Sequence, residues 1–369
     1  MPNSNLNEAQ RAKNDEFYTQ YADIEKEIAA YLEFNPDVFR GKTILLPCDD
    51  PEWSNFTKYF AQNFERFKLK KLISTSYAVE SKTYKGVYQP TLFETSAPYY
   101  DKIKTIQNGK IFTLTRDKTG DHKVNVDDLE WHYLKGDGDF RSDEIKKLRD
   151  EADIIITNPP FSLFREFLAW IIESGKQFVV ISNLNAITYK EIFPLIKNDE
   201  MWLGNGFHAG NAYFSTPFAQ DYGDGVYNPE TGLVKFRNVC WFTNLDHGRR
   251  HQPLPLMTMA ENLKYSKHKE IKGKKSYDRY ANYDAIEVPF TDAIPSDYNG
   301  AMGVPISFLD KYNPEQFKII GSSRELGIPM SEVAEKGTYV AGGPRFYLSN
   351  GDGTHRRMYD RLVIKKRKF

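Results

Sequence analysis

Asp153-Ile154-Ile155-Ile156-Thr157-Asn158-Pro159-Pro160-Phe161 is the stretch on which the fold turns. Its β-branched apolar run reads as a buried strand. The run stops at a rigid Asn-Pro-Pro-aromatic turn. Beyond it Leu163, Phe164, Phe167, Leu168, Ile171 and Ile172 recur at helical spacing, with Ser162 as the expected N-cap and Gly175 just past the end. The turn has a chemical reading. A planar amino nitrogen is a poor nucleophile because its lone pair is delocalised. The Asn158 side-chain oxygen and the Pro159 carbonyl are two acceptors suited to its two protons. Pro159 and Pro160 fix φ and hold that carbonyl outward, and Phe161 offers a face on which a base can stack. The plain alternative is a Pro-rich turn that merely ends a strand.

Outward from this stretch, Thr43 to Cys48, Lys71 to Thr75 and Phe178 to Ser182 read as further strands. Residues 20–34, 54–67, 143–151 and 188–197 read as helices. Lys110 to Asp128 reads as a hairpin around Lys118-Thr119-Gly120-Asp121; residues 76–109 carry no readable pattern. Alternating strands and helices predict an α/β fold with a doubly wound parallel sheet, whose ligands bind beyond the carboxyl ends of its strands. Both 136–140 and 157–161 fall there. After about residue 245 the alternation fades, and Pro, Tyr and Lys rise.

The chain has 369 residues, 27% charged and 14% aromatic, with a formal net charge of zero. That excludes a disordered chain and means that any nucleic-acid partner must be met by local basic patches. Two cysteines, Cys48 and Cys240, are too few for a disulfide framework. The seven histidines show no metal-ligand spacing. His247 and His251 flank Gly248-Arg249-Arg250, which reads as a solvated or phosphate-facing loop, so no metal is expected. No signal peptide or membrane-spanning run is read, which points to the cytoplasm.

Three more segments carry chemistry. In Gly136-Asp137-Gly138-Asp139-Phe140 the glycines allow close backbone approach to a ligand, a carboxylate can accept from an adenine amino group, and Phe140 can cover its face; the alternative is an ordinary surface turn. Phe17-Tyr18-Thr19 reads otherwise as a helix start with buried aromatics. Lys264, Lys267, Lys269, Lys272, Lys274, Lys275 and Arg279 are interleaved with Tyr265, Tyr277 and Tyr280. Of these Lys267, Lys272, Lys274, Lys275 and Arg279 are the expected phosphate contacts. A second basic run, Arg356, Arg357, Arg361, Lys365, Lys366, Arg367 and Lys368, lies in the tail.

Together these residues resemble the EcoRI-type adenine-specific DNA methyltransferases. The resemblance runs through Asn14 to Tyr21, Cys48 to Phe56, Lys135 to Ser142, Thr157 to Phe167, Asn183 to Lys197, Cys240 to Asp246 and Tyr283 to Gly321. A glycine-free Cys48-Asp49-Asp50-Pro51-Glu52 segment stands where most methyltransferases have a Gly-rich cofactor loop, as it does in this family. The resemblance implies a Rossmann-like catalytic domain over residues 36–250. Before it, residues 1–35 would form a helical segment closing over the cofactor; after it, residues 251–369 would form a basic target-recognition region. It implies S-adenosylmethionine as cofactor, served by Phe17, Tyr18, Thr19, Cys48, Asp49, Asp50, Ser54, Asn55, Asp137, Asp139, Phe140 and Asn158. Asp49 and Asp50 would take the ammonium group, and Ser54 or Asn55 the carboxylate. Asn158, Pro159, Pro160 and Phe161 would serve a flipped adenine of double-stranded DNA, methylated at N6 by direct transfer. The resemblance favours a monomer and leaves open a companion restriction endonuclease. The rivals are methyltransferases of RNA guanine or protein glutamine, which share the turn, and a non-catalytic DNA-binding protein, which would bind DNA without cofactor.

Overall fold

The computed structural model describes residues 17–49, 54–78, 95–207, 210–216 and 219–367. The elements run β1 (Tyr18–Thr19), α1 (Tyr21–Phe34), β2 (Thr43–Pro47), α2 (Asn55–Gln62), β3 (Lys71–Ser76), α3 (Lys102–Gln107), β4 (Lys110–Leu114), β5 (Glu130–Tyr133), α4 (Asp143–Glu151), β6 (Ile154–Thr157), α5 (Phe164–Glu173), β7 (Gln177–Asn183), α6 (Phe193–Lys197), β8 (Trp202–Leu203), β9 (Asn211–Ser215), β10 (Tyr227–Asn228), β11 (Leu233–Arg237), β12 (Val239–Thr243), α7 (Met259–Tyr265), β13 (Ile286–Glu287), β14 (Met302–Pro305), β15 (Phe317–Ser322), β16 (Tyr347–Ser349), β17 (His355–Arg357) and β18 (Arg361–Lys366). The chain divides into two units, residues 1–186 with 201–247, and residues 187–200 with 248–369.

The first unit holds an eight-stranded sheet in the order β5-β4-β3-β2-β6-β7-β12-β8. Its centre, β3-β2-β6-β7, is parallel, but both flanks are antiparallel. The sheet is therefore mixed, not wholly parallel as expected from the strand–helix alternation. Strand β4 returns beside β3 only after residues 77–109, and β12 beside β7 only after residues 184–238; antiparallel neighbours need no crossover helix, so the strand–helix alternation does not reveal them. Ile154, Ile155 and Ile156 are fully buried, as are Ile44, Leu45 and Leu46 beside them. Both faces are covered. Ile44, Leu46, Ile154, Ile156, Val179 and Ile181 share one core with Ile24, Ile28 and Tyr31 of α1 and Phe56, Tyr59 and Phe60 of α2. On the other face Phe164 of α5 meets Phe242, with ring centroids 5.3 Å apart. Each such side chain contributes about 1.5–3 kcal/mol.

The hairpin expected around residues 118–121 is a longer device. Strand β4 pairs with β5, and the intervening loop is stapled by Asp128, which accepts from the amides of Lys118 and Thr119 at 2.9 Å and of Asn125 at 3.0 Å. The helix expected over 188–197 shortens to Phe193–Lys197, preceded by a 3-10 segment at Leu184–Thr188. A second, antiparallel sheet in the first unit, β1-β9-β11-β10, carries the Phe17 segment at its edge. Where the sequence shows only Pro, Tyr and Lys, the second unit builds the sheet β13-β14-β18-β15 and the hairpin β16-β17.

From the strand directions, the carboxyl ends of β2, β3, β5, β6, β7 and β8 lie on one edge of the large sheet. The segments after β2, β3, β5 and β6 are thereby gathered there.

Candidate active site

Chain direction reverses sharply after β6. Asn158 precedes one proline and Pro159 another, and a residue before proline is driven out of the helical region, so a helix cannot start until Pro160 is passed. Leu163 N bonds Pro160 O at 3.0 Å and closes one 3-10 turn over Phe161–Leu163; α5 begins at Phe164 with no side-chain cap. Ser162, expected as the N-cap, lies inside that turn.

The Asn158 amide nitrogen Nδ2 donates to the Phe17 carbonyl at 2.6 Å. A carbonyl oxygen can only accept, so the NH2 group must face it and the amide orientation follows. Asn158 Oδ1 then points away, buried and without a hydrogen-bond partner among the described residues. Thr157 Oγ1 and Thr19 Oγ1 are buried and unpartnered in the same sense. An unsatisfied buried polar atom costs about 1–3 kcal/mol. Three of them in adjoining segments make this a place suited to a polar ligand.

The Phe17 segment is held from several sides. Tyr18 and Thr19 pair with Ser215 and Phe214 of β9. Asn55 Nδ2 donates to the Thr19 carbonyl at 2.8 Å. The Phe17 ring sits 4.6 Å from Phe236, 5.9 Å from Phe161, 6.0 Å from Phe214 and 6.2 Å from Tyr222. Phe161 is only 8% exposed inside this cluster. The open stacking face expected of it is not presented; a base reaches it only if a neighbouring ring moves.

At the end of β2, Cys48 adopts φ 131°, a conformation that side chains resist and glycine takes freely. At Cys48 the chain thus lacks glycine but keeps a glycine-like backbone. The amides of Cys48 and Asp49 both donate to the Thr75 carbonyl, at 3.3 and 2.9 Å. Ser54 Oγ donates to Asp49 Oδ1 at 2.6 Å and accepts from Phe56 N at 3.1 Å as the N-cap of α2. Its single hydroxyl proton is committed, so Ser54 cannot also donate to a ligand carboxylate as expected. Asp50 lies outside the described residues.

The loop after β5 corrects another expectation. Glycine at 138 serves the approach of this loop to β3, not to a ligand: its φ is 88°, and a Cβ there would stand 2.5 Å from the Ser76 carbonyl oxygen. Ala78 N bonds the Asp137 carbonyl at 2.7 Å. The Arg141 guanidinium, 2.5 Å from Asp139, holds the Asp139 carboxyl below its usual range, helped by the Tyr77 hydroxyl. Burial pushes the Tyr77 phenol up, reinforced by Cys48 and Asp139. Phe140 is 2% exposed and packs edge-on against Phe167 and Trp170, at 5.1 and 5.7 Å. Its ring is committed to the core beneath the loop and presents no open cover for an adenine.

In the second unit the expected phosphate contacts are mostly matched by acids. Lys267 pairs with Asp292 at 2.8 Å, Lys274 with Asp278 at 2.6 Å, and Arg279 with Asp284. Lys272 and Lys275 are exposed. His247, expected in a solvated loop, is 3% exposed, with Nε2 3.0 Å from the Leu203 carbonyl. Among the described residues no group of three or more His, Cys, Asp or Glu side chains is arranged to hold a metal, and no helix is long and apolar enough to cross a membrane.

The family model for adenine-specific methyltransferase EcoRI matches residues 5–367. The chain belongs to the EcoRI family of adenine-specific methyltransferases. It is 43% identical to the Type II methyltransferase M.EcoRI of Escherichia coli, over 86% of this chain and 89% of that protein. It is 32% identical to the Type II methyltransferase M.MgeORF184P of Mycoplasma genitalium, over 99% of both chains. With M.MpnI of Mycoplasma pneumoniae it shares 31% identity over 98% of both. No solved structure matches the chain. This EcoRI-family protein is a DNA adenine methyltransferase, and its α/β fold with one large mixed sheet is consistent with that class.

Two sets of residues beside these segments escaped the sequence. Tyr77 stands directly after β3, where the strand-end rule places ligands, yet its neighbours carry no pattern. The rings of Phe214 and Phe236 come from a sheet whose strands are too short and too scattered to announce themselves, and Tyr222 from the connection between two of them.

Proposed function

We propose that this methyltransferase takes its methyl group from S-adenosylmethionine and delivers it to N6 of an adenine turned out of duplex DNA. The observation that carries the reading is the Asn158 amide, oriented by the Phe17 carbonyl so that Oδ1 is buried and unpaired. The strand order supports a Rossmann-like reading. From β2 the chain goes to β3 on one side and to β6 and β7 on the other, so the segments after β2 and β6 flank a topological switch point.

The residues present fit the cofactor's chemistry. Asp49, Asp137, Asp139 and Tyr77 supply acceptors and donors for an amino-acid end and an adenosine end, and the unpartnered hydroxyls of Thr19 and Thr157 add two more polar groups. Phe17, Tyr18, Thr19, Cys48 and Asn55 complete the wall. When bound, S-adenosylmethionine supplies a methyl group on a positively charged sulfur. Asn158 Oδ1 accepts one N6 proton and the Pro159 carbonyl the other, drawing the nitrogen out of conjugation. The two prolines keep these acceptors fixed, so most of the effect is positioning. Turning the base out costs a few kcal/mol, and the closing aromatic rings exclude water. The second unit is read as the target-recognition region, and a monomer in a bacterial or phage-host cytoplasm is the setting.

The test is transfer of labelled methyl from S-adenosylmethionine to unmethylated genomic DNA, followed by nucleoside analysis and modification-sensitive sequencing. N6-methyladenine in one short context is expected. Label in RNA or protein instead would move the function to the rival methyltransferases, and DNA binding without any label would leave a binding module.

A further inference from the structure

The basic tail separates into two kinds of cation. Arg361 is 8% exposed and forks onto the buried Glu287 carboxylate, Nη2 to Oε1 at 2.8 Å and Nε to both oxygens at 3.1 Å. Lys366 Nζ donates to the Ser296 carbonyl, and Arg367 Nε to that of Pro314 at 2.6 Å. These cations hold the second unit together. A different group has no such balance. Asp360 accepts from Arg324 Nε and Nη2, both at 3.0 Å, and from Arg345 Nη2 at 3.1 Å. One carboxylate thus serves two guanidiniums, and Arg357 is close enough to Arg345 to add to the repulsion.

That repulsion has consequences. Burial lowers the Arg345 pKa, Asp360 opposes the shift, and Arg324 and Arg357 deepen it. Arg357 donates from Nη2 to the Gly343 carbonyl at 2.9 Å, while its buried Nε has no acceptor among the described residues. Arg345 lines a cavity of about 290 Å³ whose wall includes Gly327, Gly342, Gly343 and Tyr347. Arg324 is the outward member, its side chain 40% exposed. Asp360 occupies one edge of its guanidinium, and Nη1 meets no protein acceptor among the described residues. Three guanidiniums against one carboxylate leave an excess of two positive charges, a rigid fork with a free end, and an unanswered N–H. The open end of the Arg324 fork, with the charge of Arg345 and Arg357 near it, suits an anion with several acceptor oxygens.

We propose that Arg324, braced by Asp360 and reinforced by the charge of Arg345 and Arg357, grips a backbone phosphate of the bound duplex. The assignment rests on the reading of the protein as a DNA methyltransferase. It locates phosphate affinity in this cluster, where positive charge is in excess, and away from Lys267, Lys274 and Arg279, which carboxylates match. A phosphate contact carries no sequence information, so its loss weakens binding to every duplex alike.

The experiment is fluorescence anisotropy with a labelled duplex of about 30 base pairs and arbitrary sequence, and with one carrying the methylated context, across roughly 50 to 300 mM salt. Arg324→Ala is expected to reduce the salt slope by about one and to weaken binding about eightfold near 0.1 M on both duplexes. Arg324→Lys keeps the charge and is expected to keep the slope. An unchanged slope in Arg324→Ala overturns the proposal, as does a loss confined to the site-bearing duplex, which would mean base reading. Equal collapse of both variants overturns it as well, since it would mark a structural role. Failure of the underlying reading looks different: the wild-type protein itself would neither bind duplex nor methylate it.

Discussion

Asn158 does two jobs through the two ends of one amide. Its NH2 is spent on the Phe17 carbonyl, and its oxygen, unpartnered among the described residues, is the acceptor that the proposed function gives to the substrate. Asn158→Asp therefore tests more than size: it keeps the shape but sets an oxygen against the Phe17 carbonyl. We expect methyl transfer to fall by roughly a hundredfold or more in Asn158→Asp and in Asn158→Ala, with duplex affinity within a few-fold of wild type; turnover close to wild type in either variant would refute the assignment. Cys48 supplies the second residue-scale prediction. Its φ of 131° stores about 1–3 kcal/mol, while glycine in its place adds about 0.5–1 kcal/mol of unfolded-state entropy. Cys48→Gly should raise the melting temperature by a few degrees, and a thermal scan showing a lower value would mean that the side chain, not the backbone, governs this turn. The Asn158 turn was legible in the sequence because asparagine and two prolines restrict their own geometry. The strain at Cys48 was not, since a dihedral angle leaves no mark on residue type.

Elements buried on both faces announced themselves. The run Ile154 to Ile156 and its neighbour Thr43 to Leu46 read as strands because neither has a wet side to interrupt the apolar run. Half-buried elements hid. Strand β4 alternates between buried and partly exposed residues, and the turn residues at 118–121 drew the reading toward a tighter hairpin than the one that Asp128 enforces. Burial alone would push the Asp128 carboxyl up, but the amides of Lys118, Thr119 and Asn125 pull it down to about 2. A depressed carboxyl stabilises the fold wherever it is ionised. Its contribution is full above the ordinary value near 3.8 and is lost as pH falls through about 2. Amide exchange at Lys118 and Thr119 should accelerate across that window in the wild type; in Asp128→Asn it should already be fast at neutral pH and show no such step. Protection that persists unchanged in the variant would mean that the staple is not what orders the loop.

Across the whole molecule, the described residues include one core under the large sheet and another around Tyr280, Phe346, Leu348 and Val363. The first is legible through its apolar strands; the second is built by short, irregular elements and by the Glu287–Arg361 pair, which periodicity cannot reveal. Removing one partner of such a pair leaves a buried charge behind. Glu287→Ala should destabilise the second unit by about 3–5 kcal/mol, whereas replacing both residues with methionine should recover most of that loss; denaturant unfolding followed by proteolysis distinguishes the two, and an equal loss in single and double variants would contradict the account. Order of synthesis follows from one contact already described. Strand β1 is made before its partner β9, which is some two hundred residues downstream. At about 5–20 residues per second the ribosome takes roughly 10–40 s to deliver that partner. The Phe17 segment must wait through this interval for its strand partner, and a nascent chain stalled before β9 holds an Asn158 whose orienting carbonyl is not yet fixed in a sheet.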